Sequence, residues 1–498
     1  MSTPVSEPAV TTLPPLCVDL DGTLVKSDTL FDSTLTLARH HPEQLLKLPG
    51  WLLEGKASLK RHIAGAAHLD VAHLPYNREL LQFLEQERST GRSIYLATAS
   101  DVATAQRVAD HLGLFTGVMA SDGVVNLAGH NKLAAFRQQF GDNFCYIGNA
   151  LPDLPLLENC QEPMVANPTP GLRAALRRAG ITPVRTFTEQ ESTIKAWLKA
   201  IRLHQWAKNV LIFIPLLLAH AWSPGQITGA VLAFLSFSLC ASATYIVNDL
   251  LDLEADRQHP RKRRRPFASG DLSALSGVVV IALFFLASIA IAVALPYIVK
   301  AISPDHPLSR PFYFLGWLAV YAFTTLAYSL RLKRAVLVDV IVLSGLYTIR
   351  IIAGSGASNV PISTWLGGFS IFFFLSLAFV KRFAELENLR QRSGTSASGR
   401  NYYVTDIEQL RSFGTAAGYA SVVVFTLYIS NLGTEASHLY HHVRRLWLLV
   451  PILLLWLSRL WIQASRGELD EDPVVYAITN RRSLLLGLVV IVIVLSAL

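Results

Sequence analysis

The chain has 498 residues, 51% of them hydrophobic, with a mean hydropathy of +0.37 and a formal net charge of +8. This is too apolar for an ordinary soluble enzyme, and the charge is uneven: residues 1–191 hold 16 Lys and Arg against 20 Asp and Glu, residues 192–498 hold 28 against 16. Two unlike regions follow, and a basic excess confined to the apolar one argues for oriented membrane loops rather than nucleic-acid binding. Cys17, Cys145, Cys160 and Cys240 show no metal-ligand spacing and no disulfide framework. The opening MSTPVSEPAVTTLPPL lacks the cationic start and long apolar core of a secretory signal. The first region is therefore expected to stay in the cytoplasm, with residues 1–15 disordered.

Leu16 to Leu20 predicts a short buried strand ending in Asp19-Leu20-Asp21-Gly22-Thr23, where the glycine permits a sharp turn. Two carboxylates at this spacing suit phosphoryl chemistry: one attacks phosphorus, the other protonates the leaving oxygen and then activates water. Alone, the motif reads as readily as a strand and an acidic turn. A second apolar strand, Ser93 to Ala97, ends in Thr98-Ala99-Ser100; Lys132 follows in GHNKLAAF, and Tyr146-Ile147-Gly148-Asn149 leads to Asp153.

This order, over about residues 15–185, resembles the haloacid dehalogenase phosphatase superfamily. The resemblance implies an α/β Rossmann-like domain at residues 16–190 with Asp19 as nucleophile, Asp21 as general acid/base, and Thr98 and Lys132 as phosphate ligands. Asp19, Asp21, Asn149 and Asp153 would surround Mg²⁺. The family usually has an acidic residue at the position of Asn149; an amide oxygen ligates without bringing charge, which weakens the metal site. Residues 28–88, interrupted at Pro42, Pro49 and Pro75, read as a helical cap of the kind that closes over phosphate substrates and excludes water. His40, His41 and His62 read as solvated cap residues.

Residues 191–207 read as an amphipathic connector on the membrane surface, with Ile194, Trp197, Leu198 and Ile201 on one side and Lys195, Lys199 and Arg202 near the other. Nine apolar segments follow at about 209–222, 229–247, 275–295, 311–330, 336–354, 362–380, 413–432, 445–463 and 482–498. With the first region cytoplasmic, the even-numbered segments end in loops holding the Arg257–Arg265 run, then Arg331, Lys333 and Arg334, then Lys381 to Arg400, then Arg466 and Arg481. The opposite loops hold only Lys300, Arg310, Arg444 and Arg445, which agrees with positive-inside orientation.

Asn248, Asp249, Asp252 and Asp256, in NDLLDLEAD, fall within an arc of about 100° if the second segment continues as one helix at about 100° per residue. Carboxylates on one face repel unless a cation joins them, and oxygen-only ligands suit Mg²⁺ carrying a phosphate-rich substrate. A solvated acidic helix end is the alternative. The cationic run His259 to Arg265 supplies a counter-surface for phosphates. Tyr328 to Lys333 follow the fourth segment, and Lys381-Arg382 with Glu385 follow the sixth. A Ser/Gly-rich stretch then leads to Arg400-Asn401-Tyr402-Tyr403. Asp339 and Arg350 lie inside an apolar segment, as a binding site or a structural ion pair would place them.

Nine spans, NDxxDxxxD after the second and the Tyr/Lys/Asp group after the fourth resemble the UbiA-type intramembrane prenyltransferase superfamily over roughly residues 195–498. An all-α bundle of nine transmembrane helices at residues 208–498 is implied. Gln205–Asn209, the single Asp339 and Lys381–Leu386 are most similar to its decaprenyl-phosphate phosphoribosyltransferases; aromatic prenyltransferases commonly carry several aspartates where this chain has Asp339.

By that resemblance Asn248, Asp249, Asp252 and Asp256 would hold Mg²⁺ and diphosphate, the three aspartates being catalytic. Lys208, Asn209, Arg265, Tyr328, Lys333, Asp339, Arg350, Lys381, Arg382, Glu385, Arg400 and Tyr402 would hold phosphates and ribose. The implied substrates are phosphoribosyl diphosphate and a polyprenyl phosphate in the bilayer, the first region then removing the ribose 5-phosphate. Mg²⁺ is expected at both sites, in an integral protein of the cytoplasmic membrane, with a homo-oligomer left open. Two other readings stand beside it: an aromatic-acceptor prenyltransferase, and a transporter with a regulatory soluble region. Transport would spread ionisable residues deep in several helices, whereas here they gather at one face.

Overall fold

In the computed structural model, residues 13–189, 192–305, 307–391, 400–432, 440–469 and 472–498 are described. Residues 1–12 of the expected disordered N-terminus, Glu191 and the Ser/Gly-rich stretch at 392–399 lie outside them. The chain divides into two compact units, Met1–Ile201 with Tyr245–Val280, and Arg202–Thr244 with Ile281–Leu498.

In the first unit, β1 (Leu16–Val18) is followed by α1 (Thr29–His40), α2 (Leu48–Leu53), α3 (Lys56–Ala66), α4 (Arg78–Ser89), β2 (Ile94–Asp101) and α5 (Val102–Leu112). Then come β3 (Gly117–Ser121), α6 (His130–Phe140), β4 (Cys145–Gly148), α7 (Leu154–Asn159), β5 (Pro163–Ala166), α8 (Pro170–Ala179), β6 (Arg185–Phe187) and α9 (Thr193–Ile201). The strands form one parallel sheet in the order β3-β2-β1-β4-β5-β6. As the alternation of a strand requires, Leu16 and Val18 enter one core with Leu80, Phe83 and Leu84 of α4, while Cys17 enters the other with Leu133 and Phe136 of α6. Burial on both faces is why β1 reads as a continuous apolar run. Leu16 pairs with both Ile94 and Cys145, so the ends of β2 and β4 flank Asp19 where the strand order reverses.

The α/β class with helices after the first strand agrees with the sequence reading. On α9, Ile194 and Leu198 are exposed, whereas Trp197 packs edge-on against Phe267 at 6.2 Å, so the expected apolar side is divided between two surroundings.

The remaining helices are α10 (Ile214–Leu218), α11 (Pro224–Leu251), α12 (Leu253–Gln258), α13 (Ala274–Ile302), α14 (Tyr313–Leu330), α15 (Val338–Ser358) and α16 (Thr364–Gln391). After them come α17 (Ile407–Leu432), α18 (Leu449–Ser465), α19 (Pro473–Thr479) and α20 (Arg481–Ala497). Among the described residues seven helices are long and apolar enough to cross a membrane, at Pro224–Leu251, Ala274–Ile302, Tyr313–Leu330, Val338–Ser358, Thr364–Gln391, Val404–Asn431 and Val443–Ser465.

Nine were expected, and the two remaining segments lie at the ends. The first folds as a 3₁₀ helix, Leu203–Phe213, followed by the five residues of α10. That 3₁₀ turn comes against α15 at Gly354, where a Cβ would stand 2.0 Å from the Ile212 carbonyl oxygen. The last segment is α20, a helix of 17 residues, about 26 Å long at 1.5 Å per residue. Seven such helices make this an integral membrane protein.

One expectation needs correction. The acidic motif does not continue a single regular helix: α11 stops at Leu251, Asp252 has φ −94° and ψ 10°, and α12 starts at Leu253. Hydrogen bonds from Asp252 N to Asn248 O and from Asp256 N to Asp252 O, at 2.9 and 2.8 Å, carry the chain through the bend.

Candidate active sites

The phosphatase-type residues converge at the C-terminal ends of β1, β2 and β4. Lys132 Nζ on α6 donates to Asp19 Oδ1 at 2.8 Å and to the Tyr146 hydroxyl at 3.0 Å, and lies 3.8 Å from Asp153 Oδ1. Asp153 is held by Tyr146, whose hydroxyl donates to Oδ1 at 2.7 Å, and by the Asn149 and Ala150 N–H groups, both donating to Oδ2 at 3.0 Å. Asp21 accepts from Thr29 N at 2.7 Å and from Ser100 Oγ at 2.5 Å. Thr98 is fully buried, its hydroxyl accepting from Ser100 N at 3.0 Å. Gly22 has φ +74°, and a Cβ there would stand 2.0 Å from Asn149 Nδ2, so the departure residue packs directly on the nucleophile turn.

Burial pushes the Asp19 carboxyl up to about 7, with Asp153 and Asp21 adding to the rise and Lys132 opposing it. Burial works against charge on Lys132, but Asp19 and Asp153 outweigh it and hold the ammonium above its usual range. Lys60 of α3, which the sequence did not single out, reaches the same strand end: its Nζ donates to Ala99 O at 2.6 Å and Asn126 Oδ1 at 2.9 Å, and burial lowers its pKa.

The acidic segment sits in the same unit. Arg265 Nη1 donates to Asp249 Oδ1 at 3.0 Å and Asp256 Oδ2 at 2.6 Å, so one guanidinium nitrogen joins two buried carboxylates. Burial raises the Asp256 carboxyl and Asp249 adds to the rise, with Arg265 opposing both. Asp252, beyond the bend, instead pairs with Arg39 of α1. Arg265 thus joins two of the three aspartates, and Arg39 meets the third. Arg257, at the start of the cationic run, is buried and pairs with Asp32 at 2.9 Å, while Arg261 to Arg264 are exposed.

Among the described residues no three His, Cys, Asp or Glu side chains form a ready-made metal cluster. The donor sets nevertheless fit Mg²⁺, which takes one or two carboxylates and completes its shell with water and phosphate oxygens. Asp19 and Asp153 share one ammonium in the first site, and Asp249 and Asp256 already close on a cationic nitrogen in the second. Because a divalent cation favours ionised Asp19, its affinity at the phosphatase site is expected to weaken as pH falls below about 7. Raising Mg²⁺ should accordingly move the acid limb of the phosphatase kcat/KM profile to lower pH; a limb indifferent to Mg²⁺ would contradict this.

In the second unit the expected ligands form three networks. Arg382, 1% exposed, donates from Nε to Asp339 Oδ2 at 2.6 Å and from Nη2 to the Tyr328 hydroxyl at 3.3 Å, and pairs with Glu385, which also pairs with Arg400. Tyr402 donates to Asp339 Oδ1 at 2.5 Å. Arg350 donates to Asn209 Oδ1 at 2.8 Å and to the Tyr321 hydroxyl at 3.1 Å, so Asp339 and Arg350 answer different partners. Lys333 is half-buried in the turn Leu332–Arg334 after α14.

The third network centres on Asp472. Lys208 and Lys381 donate to its Oδ2 at 2.6 and 3.0 Å, and Tyr347 to its Oδ1 at 3.1 Å. Burial would raise this carboxyl, but Lys381 and Lys208 prevail and hold it well below the carboxylate range. Asp472-Pro473 is legible as a helix start, Asp472 accepting from Val474 N; nothing in the sequence marks it as counter-ion to two distant lysines. Asp472→Asn leaves Lys208, 9% exposed, without its carboxylate, at an expected cost of about 3–5 kcal/mol read by thermal unfolding in detergent. If the two lysines hold phosphate, added diphosphate should stabilise this variant more than the wild type; an equal or smaller shift would remove them from the anion site.

The profile of the UbiA prenyltransferase family matches residues 210–495. The chain is 37% identical over 476 residues to the uncharacterized protein y4nM of Sinorhizobium fredii, covering 95% of this chain and 89% of that one. It is 34% identical over 295 residues to nodulation protein NoeC of Azorhizobium caulinodans, covering 59% and 90%. To decaprenyl-phosphate phosphoribosyltransferase of Mycobacterium tuberculosis it is 37% identical over 204 residues, covering 40% and 62%.

Among solved structures, a UbiA homolog from Archaeoglobus fulgidus bound to GPP and Mg²⁺ has a TM-score of 0.45 at 15% identity, covering 61% of this chain and 99% of that one. HAD family hydrolase t0658 from Salmonella enterica has a TM-score of 0.26 at 16% identity, covering 33% and 66%. The protein is an integral membrane protein whose first unit carries a six-stranded parallel α/β sheet. By the extent of the match at residues 210–495, the chain belongs to the UbiA prenyltransferase family.

Proposed function

We propose that this chain transfers a 5-phosphoribosyl group from phosphoribosyl diphosphate to a polyprenyl phosphate and then hydrolyses the ribose 5-phosphate. The observation that carries the reading is the presence on one chain of a phosphatase constellation, with Lys132 on Asp19 and Ser100 and Thr29 on Asp21, and a family domain whose relatives include a phosphoribosyltransferase. Transfer from that donor leaves a phosphomonoester on the lipid, which is the bond such a constellation cleaves.

In the transfer, an acceptor phosphate oxygen bonds to the anomeric carbon as the bond to diphosphate breaks, the electron pair leaving with diphosphate. Asp249, Asp252 and Asp256 with Asn248 would hold Mg²⁺, which supplies charge stabilisation to the leaving group. Lys208, Lys381, Arg382 and Arg400 carry the positive charge that suits phosphates, and Tyr328 and Tyr402 the hydroxyls that suit ribose. In the hydrolysis, Asp19 attacks phosphorus while protonated Asp21 gives its proton to the departing 5-oxygen. Asp21 then takes a proton from the water that cleaves the aspartyl phosphate. Mg²⁺ held by Asp19 and Asp153, with Asn149 beside them, would offset the charge on the phosphoryl oxygens.

Joining both sites on one chain raises the local concentration of the second site for the product of the first. The product suits the supply of lipid-linked pentose to cell-wall or glycolipid assembly. The distribution of Arg and Lys supports a cytoplasmic-membrane protein with both sites on the cytoplasmic side.

The test uses purified full-length protein in detergent with Mg²⁺, radiolabelled phosphoribosyl diphosphate and polyprenyl phosphate. Label should enter lipid and appear with and without the 5-phosphate. Consumption of a prenyl diphosphate with an aromatic acceptor, and no label in lipid, would replace the reading with the aromatic-acceptor alternative.

A further inference from the structure

Helix α1 belongs by sequence to the phosphatase-like region, yet its two ends serve different motifs. At its first residue, Thr29 N donates to Asp21 Oδ1 at 2.7 Å, and Thr29 Oγ1 lies 2.9 Å from Ser100 Oγ, which itself donates to Asp21. In its last turn, Arg39 Nη1 donates to the Leu251 carbonyl at 2.5 Å and pairs with Asp252. Twelve helical residues span about 18 Å.

Between these ends the helix is fixed by a buried pair, Asp32 with Arg257 at 2.9 Å, with Ser27 donating to Asp32 at 2.6 Å and accepting from Arg257 at 3.1 Å. Gln258 Nε2 donates to Asp70 at 2.9 Å, and His40 lies 3.9 Å from Glu254. Leu251 O is a C-terminal carbonyl of α11, so Arg39 supplies both a cation to a helix end and a partner to the carboxylate after the bend.

We propose that Arg39 is a positioning residue for the transfer reaction: supplied by the phosphatase-like region, it holds the end of α11 and aims Asp252, so docking of α1 adds to the order of the acidic motif. The inference rests on the phosphoribosyl-transfer reading above. It follows from the double contact: Arg39 holds both the Leu251 carbonyl at the end of α11 and the Asp252 carboxylate that follows it. Arg265 does the corresponding work for Asp249 and Asp256 from within the loop.

The test compares wild type, Arg39→Ala, Arg39→Lys and, as an exposed control, Arg78→Ala, all as full-length protein in detergent. Arg39→Ala should raise the KM for phosphoribosyl diphosphate by about tenfold, the scale of one charged hydrogen bond, with kcat changed less. Arg39→Lys should recover part of that loss, and hydrolysis of a soluble phosphomonoester should be unaltered in all four. In the Mg²⁺-free proteins, amide hydrogen exchange over residues 248–258 should quicken in Arg39→Ala and not in Arg78→Ala.

A wild-type KM in Arg39→Ala overturns the positioning role, even with faster exchange. Unchanged exchange overturns the contact itself. If wild type transfers no ribose, the functional reading fails, while the exchange comparison still decides whether Arg39 orders the motif.

Discussion

Asp19→Asn is expected to stop phosphate release, by about 10⁴-fold or more as for loss of other nucleophiles, while leaving entry of labelled ribose into lipid intact. The 5-phosphorylated lipid should then accumulate, which chromatography of the radiolabelled lipid reads directly. The expectation rests on separate machinery: Asp19 is held by Lys132 beside Asp153, whereas Asp249 and Asp256 are held by Arg265. An amide at position 19 cannot attack phosphorus, yet it still accepts from Lys132, so folding is preserved. If Asp19→Asn forms the dephosphorylated lipid at the wild-type rate, the phosphatase assignment is wrong.

The second large effect is on the transfer itself. Asp249→Asn should lower the initial rate of lipid labelling by about 10²–10³-fold, the range seen when one preorganised electrostatic contact to a transition state is removed. Asp256 would still face Arg265, so the guanidinium keeps a carboxylate and the unfolding midpoint should move little. That combination separates loss of chemistry from loss of fold. Wild-type labelling by Asp249→Asn at saturating Mg²⁺ would mean that the acidic segment is a structural helix end.

Much of the first unit was legible because its signals are local. A strand buried on both faces must be apolar throughout, so Asp19 was readable at the end of β1, whereas Lys132 on α6 and Asp153 in the turn after β4 were expected through the family resemblance. The apolar helices were legible for the same reason, since length and hydropathy are properties of a segment alone.

What escaped was pairwise. The end of α11 at Leu251 cannot be read from helical periodicity, which continues unbroken through Asp256, nor can the pairing of Asp252 with Arg39 and of Asp249 and Asp256 with Arg265. Asp472 stands beside Lys208 and Lys381 through packing between distant segments, and Arg39 meets Asp252 the same way. The first expected span, about 209–222, is instead divided between the end of the 3₁₀ helix Leu203–Phe213 and the five residues of α10, a break that the apolar composition does not reveal.

The buried pair between Asp32 and Arg257 bears on how such a fusion is inherited. A chimaera that kept the membrane half and replaced residues 1–191 with another phosphatase would retain Arg257 and lose its carboxylate, stranding a cation that had been desolvated. Recombination at the obvious seam between the two halves is thereby penalised. A change at position 32 is therefore expected to require an answering change at position 257.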